Sequence, residues 1–288
     1  MPTAESPRSD DRTDADHPTL GPLVLCADDY AVHAAASAGI VELARRQRLS
    51  ATSVMVLSPR WASEAAPLRE VREQLDVGLH LDFTSPMACA AGFGRSLGGM
   101  MWRTLWPLGA NLREQWRVAI ERQCDAFEQH WQGAPDHVDG HQHVQQFAGL
   151  RDLVLEVLGR RYDRRPWLRV SRVEQSDLKA IIITSRGART WAHQLQAGGW
   201  LGLAPLRGAY EFAGGRDTYA MLMQGWLSQA RSDGGVIMCH PALSQDAEDA
   251  FGAARVWEFE YLSSDAFAHD LSAAGLQLVR GSALHSPS

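Results

Sequence analysis

Between positions 136 and 143 the chain reads Asp-His-Val-Asp-Gly-His-Gln-His, which places three of its 11 histidines and two carboxylates in eight residues. Imidazole nitrogens and carboxylate oxygens at that density can surround a divalent cation, each ligand fixed by a neighbouring hydrogen bond. A polar surface loop is the other reading of this octet taken alone. Its company weighs against that reading: Asp28-Asp29, His80, His141 and His240 each fall where an apolar run of strand length stops. One carboxylate and two imidazoles can hold a divalent ion and leave positions open for water and substrate. Such an ion acidifies water and polarises a carbonyl. A neighbouring carboxylate can then accept the water's proton, while a histidine on the opposite side protonates the leaving group.

The adjacent Asp28 and Asp29 supply two carboxylates whose roles can differ, because side chains at the turn after a strand need not face the same way. A simple helix cap is the alternative for Asp29. His240, in Cys239-His240-Pro241, is the best candidate general acid, since the following proline stiffens its turn; a neutral strand-end histidine is the alternative. Arg169 lies inside the apolar run Leu168-Arg169-Val170 and needs a carboxylate partner if buried. Pairing with Asp28 would keep that aspartate ionised, and a structural ion pair elsewhere would satisfy it equally.

The elements that must position these groups alternate between strand and helix. Apolar runs at Leu23–Ala27, Ser53–Leu57, Val77–Phe83, the histidine cluster, Trp167–Val170, Gly208–Phe212 and Val236–Cys239 predict strands, with a last one at Leu276–Val279. Helical spacing predicts helices over Ala34–Arg46, Trp61–Leu75, Asn111–Trp131, Leu150–Tyr162, Tyr219–Arg231 and Asp265–Ala274, and over most of Val173–Gln196. Residues 84–110, rich in glycine and methionine with two tryptophans, read as a long loop near a site or as a segment packed on the outer wall. The alternation predicts a single α/β unit with about seven parallel strands, a distorted TIM-like barrel in which strand ends converge on one face.

Composition narrows the partners. The 288 residues carry a net charge of −6 with acids and bases intermingled and no basic stripe, which excludes a nucleic-acid footprint. Cys26, Cys89, Cys124 and Cys239 form no Cys-x-x-Cys pair, so buried reduced thiols are expected. Residues 1–20 read as a disordered leader lacking the apolar segment of a signal peptide, and residues 21–288 as one domain. With no run of about 18 apolar residues, no membrane span is expected, and a cytoplasmic location follows.

Four segments taken in order, Ala27-Asp28-Asp29-Tyr30, Gly78-Leu79-His80-Leu81, His137-Val138-Asp139-Gly140-His141-Gln142-His143 and Met238-Cys239-His240-Pro241, resemble the YdjC-like carbohydrate deacetylases. That family includes chitooligosaccharide deacetylases and members associated with hopanoid biosynthesis. The resemblance implies a TIM-like barrel that removes an acetyl group from an N-acetylated sugar with one divalent metal ion. It assigns Asp28 as general base, Asp29, His80 and His141 as metal ligands, His240 as acid or transition-state stabiliser, and Arg169 as the residue orienting the base. The metal it implies is magnesium or zinc, and two imidazoles favour zinc. A homodimer is the family-level expectation. Two departures, Tyr30-Ala31 where the family usually has Phe-Gly and Gln145 where it commonly has histidine, bear on the sugar pocket. Trp102 and Trp106 are candidate sugar platforms, with core packing as the favoured reading of both. A metal-dependent esterase or phosphoesterase, or a silent sugar-binding homologue, is the alternative activity.

Overall fold

A computed structural model describes residues 20–173 and 187–284. The leader therefore lies outside the described residues except for Leu20, as does most of the predicted helix over Val173–Gln196. The elements run β1 (Gly21–Tyr30), α1 (Ala34–Arg45), β2 (Ala51–Val54), α2 (Trp61–Arg69), β3 (Asp76–Leu81), α3 (Pro86–Ala90), α4 (Leu97–Arg103), α5 (Ala110–Trp131) and β4 (His137–Gly140). A 3-10 turn (His141–Gln146) leads to α6 (Leu150–Arg161), β5 (Trp167–Arg169), α7 (Ala188–Ala197), β6 (Gly202–Leu203) and β7 (Leu206–Arg207). The chain continues with α8 (Gly215–Asp233), β8 (Val236–Cys239), α9 (Gly252–Leu262), α10 (Asp265–Ala273) and β9 (Leu276–Leu278).

Eight strands lie in the order β6-β5-β4-β3-β2-β1-β8-β7, with β9 added beside β1, and every pairing is parallel. This is a nearly closed barrel with its seam between β6 and β7, as the strand–helix alternation predicts. Two strands that the sequence does not suggest, β6 and β7, are present, and one predicted strand is absent. Gly208–Phe212 is not a strand: Gly208 has φ +97°, and a Cβ there would lie 2.1 Å from the Met238 carbonyl oxygen, so the chain turns away after only Leu206 and Arg207. The second strand sits at Ala51–Val54 instead of Ser53–Leu57, because Thr52 donates its hydroxyl hydrogen to the Ala27 carbonyl and so is accommodated inside the sheet. Helix α2 stops at Arg69 rather than Leu75, with Pro67 removing an N–H from its last turn.

Residues 84–110 are not a structureless loop. Ser85 caps α3 with Pro86 in the first turn, and Ser96 caps α4. Trp102 and Trp106 are not in the core either: they are 64% and 53% exposed, with ring centroids 4.9 Å apart. Helix α9 had no counterpart in the sequence reading. Cys26, Cys124 and Cys239 are buried free thiols as expected, whereas Cys89 is exposed. No helix among the described residues is long and apolar enough to cross a membrane.

Strand periodicity sorts side chains into two layers. On β1, Leu23, Leu25 and Ala27 pack into the large cluster under the helices, while Val24 and Cys26 join a second cluster with Ala51, Trp167, Leu206, Val236 and Met238. This second cluster fills the barrel. Its base is closed by Asp76, which accepts from Trp167 Nε1 at 2.8 Å and from the Ser282 N–H at 2.7 Å. Counting by twos from these interior residues reaches Asp28, Ser53, His80, Asp139, Arg169 and His240 at the carboxyl ends of their strands.

Candidate active site

Asp28 continues the inward set of β1, and a regular strand would then turn Asp29 outward into the helix layer. Two features prevent that. The β1–β2 register shifts between Ala27 and Tyr30, and Asp29 has φ +65°. A bulge with a left-handed non-glycine residue is costly, on the order of 1–2 kcal/mol, and it re-aims the side chain. Both adjacent carboxylates therefore enter the mouth of the barrel, each buried.

Asp28 is gripped by Arg169, whose Nη1 donates to Oδ2 and Nη2 to Oδ1, both at 2.6 Å. The same Nη2 lies 2.7 Å from Asp139 Oδ2. The structure thus selects Asp28 as the partner that Arg169 required, and adds Asp139. Burial pushes the Asp28 carboxyl upward, but the Arg169 guanidinium outweighs it and holds the group below its ordinary range.

Asp29 faces the other way. Its Oδ2 accepts from Arg255 Nη2 at 2.7 Å. Its buried Oδ1 has no hydrogen-bond partner among the described residues, lying 3.5 Å from His80 Nε2 and 3.4 Å from His141 Nδ1. Donor atoms of Asp29, His80 and His141 all fall within 4.8 Å of one another. An orphaned carboxylate oxygen between two imidazole nitrogens fits a divalent cation, so the three residues named by the resemblance meet at one point. Asp28 with His80 and Asp139, and Cys26 with His137 and Asp139, also come that close. Arg169 sits against Asp139 in both groups and opposes a cation there.

His80 is held from behind. Its Nδ1–H donates to Asp139 Oδ1 at 2.7 Å, and Ser53 Oγ lies 3.0 Å from the same nitrogen. This fixes the ring and aims Nε2 at Asp29, the carboxylate–histidine arrangement that orients metal ligands. Burial would lower His80, but Asp139, followed by Asp28 and Asp29, raises it to about 9. Holding a cation would require that ring to give up this proton. His137 is no ligand of this group: it stacks on Trp167 with centroids 4.2 Å apart, inside the barrel.

His141 and His143 leave β4 through a strained turn in which Gln142 and His143 have φ +53° and +62°. That turn brings His141 to Asp29 and places His143 Nδ1 3.0 Å from Ser171 Oγ. Gln145, at the position where the resemblance expects histidine, donates to the Arg169 carbonyl at 3.3 Å and Ser171 Oγ at 3.2 Å, bracing β5 instead of entering the mouth.

His240 lies at the end of β8, its ring 5.4 Å from that of Phe212 and its Nδ1 without a hydrogen-bond partner among the described residues. Burial pushes it down to about 4 against the pull of Asp29 and Asp28, so its imidazole is neutral near pH 7. Its backbone N–H donates to Glu258 Oε2 at 2.5 Å. Asp28, Asp29, His80, His141, Arg169 and His240 thus gather at one end of the barrel. Sequence reasoning missed Ser53, Arg255 and Glu258, and gave Asp139 no individual role. Alternation along β2 was a signal for Ser53, whereas Arg255 and Glu258 sit on α9, whose sequence shows no motif.

The profile of the YdjC-like protein family matches residues 22–273. The chain belongs to that family. Its likeness to curated members is distant but extends across the barrel: it is 23% identical over 268 residues to the chitooligosaccharide deacetylase of Citrobacter koseri, covering 89% of this chain and 96% of that one. The chitooligosaccharide deacetylase of Proteus mirabilis is 27% identical over 137 residues, 46% of this chain and only 54% of its own length, so that match spans about half of the relative. A solved Enterococcus faecalis V583 structure, named for cellobiose-phosphate cleavage, superposes with a TM-score of 0.70 at 20% identity, covering 93% of this chain and all of that one. It supports the fold of this YdjC-like chain.

Proposed function

We propose that this YdjC-like protein is a metal-dependent hydrolase that removes the acetyl group from an N-acetylated amino sugar or its conjugate, acting in the cytoplasm. The observation that carries the reading is the division of labour between neighbouring carboxylates: Asp28 locked on Arg169, Asp29 turned to His80 and His141. Mere cation binding has no use for the first. Curated relatives named as chitooligosaccharide deacetylases support the substrate class.

Asp29, His80 and His141 would hold the cation, with zinc favoured over magnesium by the two imidazoles. Such an ion supplies Lewis acidity toward an acyl oxygen and lowers the pKa of water. Asp28 keeps lone pairs beyond those engaged by Arg169, and it accepts the proton of the attacking water. Its ordinary basicity is reduced by Arg169, which suits a water already acidified. The proton then passes from Asp28 to the departing amine nitrogen. His240, being neutral, serves as a hydrogen-bond donor to the charge developing on the substrate instead of as a cationic acid. Trp102 and Trp106, exposed and packed on each other, are accessible to a sugar as core residues would not be.

The test is acetate release from N-acetylglucosamine and its oligosaccharides by metal-stripped protein, supplemented with zinc, magnesium or neither. Cation-dependent release is expected. A protein that binds the cation at this site yet releases acetate from none of these sugars contradicts the substrate assignment.

A further inference from the structure

Helix α9 reaches the active site from outside the barrel and touches two of its parts. Arg255 Nη2 donates to Asp29 Oδ2 at 2.7 Å, its Nη1 lies 3.5 Å from the His240 carbonyl, and its own carbonyl accepts from the Ala242 N–H at 3.0 Å. One turn further on, Glu258 takes the His240 N–H. Arg255 is itself immobilised: its Nε donates to Asp249 Oδ2. Asp249 also accepts from the Phe251 N–H at 2.9 Å, and its Oδ2 lies 3.2 Å from His33 Nε2. His33 Nδ1 accepts from the Ala36 N–H at 3.1 Å as the cap of α1, so Nε2 carries the ring hydrogen toward Asp249. The result is a chain of contacts, part-buried at Asp249 and buried at Arg255 and Asp29, that runs from α1 to the site, with each carboxylate oxygen of Asp29 facing a different group.

We propose that Arg255 is a positioning residue that engages Asp29 Oδ2 so that the carboxylate presents Oδ1 alone to the cation. A carboxylate with both oxygens free can bind a metal through either or both. With Oδ2 committed to a guanidinium fixed at two further points, Asp29 can give one oxygen, leaving more of the coordination sphere for water and substrate. The His240 turn shares the same support, so the cation and the neutral donor keep their spacing through one helix. A lysine has no planar fork and cannot span Asp29 and Asp249 as Arg255 does.

This inference rests on Asp29, His80 and His141 being the ligands, and its test separates the two claims. Metal-stripped wild type, Arg255→Met, Arg255→Lys and Asp249→Asn would be titrated with cobalt(II), recording affinity and the visible spectrum, whose bands weaken as coordination number rises. Wild type is expected to take up one cobalt with the stronger bands. Arg255→Met is expected to bind cobalt about 10- to 100-fold more weakly, with weaker bands at saturation. Arg255→Lys should not rescue it, and Asp249→Asn, which keeps the arginine but removes the charge that anchors its Nε, should shift the spectrum in the same direction. Folding is checked by circular dichroism, and Asp249→Asn carries the test if Arg255→Met does not fold. Wild-type affinity and an unchanged spectrum in the folded variants overturn the positioning role. Wild type that binds no cobalt overturns the ligand assignment beneath it.

Discussion

Asp28 and Arg169 meet through two parallel hydrogen bonds of 2.6 Å, in a barrel mouth where the guanidinium also lies 2.7 Å from Asp139. One buried cation thus compensates two buried anions. Replacing Arg169 with methionine keeps the bulk, strips Asp28 of its cation and leaves Asp139 with His80 alone, at an expected cost of about 3–5 kcal/mol in urea denaturation. Arg169→Lys should recover only part of this, because a point charge cannot serve Asp28 bidentately. A loss below about 1 kcal/mol for the methionine variant would mean that the pair is not the balance described here.

Gly78 lies in β3 with its missing side chain directed at the His137 ring, whose atoms would stand 2.4 Å from a Cβ. His137 is fully buried and stacked on Trp167, so it has little room to yield. Gly78→Ala is expected to destabilise the fold by about 2–3 kcal/mol through overpacking, read as a lowered melting temperature. Gly78→Ala combined with His137→Ala should recover much of that loss relative to His137→Ala alone, which a purely conformational effect of the glycine would not.

Glu258 is a buried carboxyl whose burial outweighs its bonds to the His240 N–H and the Tyr210 hydroxyl, raising it to about 7. The sign follows from proton counting. Between its unfolded value near 4.5 and about 7, the folded chain holds the proton more tightly, so this group's contribution to stability is full at low pH and is lost as pH rises through 7. The stability of wild type relative to Glu258→Gln should therefore fall by roughly 3 kcal/mol between pH 4.5 and 8, measured by denaturant melts. A difference that stays constant over that range would contradict it.

Much of this site was legible because strand periodicity is rigid. Once β1, β3, β4 and β8 are read from their apolar runs, a parallel barrel brings Asp28, His80, His141 and His240 to one end, and the structure places them there. The bulge that turns Asp29 inward was not legible, since a left-handed aspartate leaves no compositional mark. Arg255 escaped for a different reason: it lies 226 residues from Asp29 in sequence, on a helix whose pattern resembles any amphipathic surface segment. Trp102 and Trp106 were misread toward the core because hydrophobicity argues for burial, whereas the short helix α4 and the turn after it hold both rings outward. The two-residue strands β6 and β7 are too short for any periodic signal and exist only through their neighbours in the sheet.

The account stands most directly on the separation of Asp28 from the cation ligands. Cation content and acetate release measured side by side in Asp28→Asn, with Asp29→Ala and His141→Ala as companions, test it in one experiment. Asp28→Asn should retain a full equivalent of cation while turnover falls by about 100-fold or more, and the two companions should lose the cation. Full turnover in Asp28→Asn, or a full equivalent of cation in His141→Ala, would contradict the assignment.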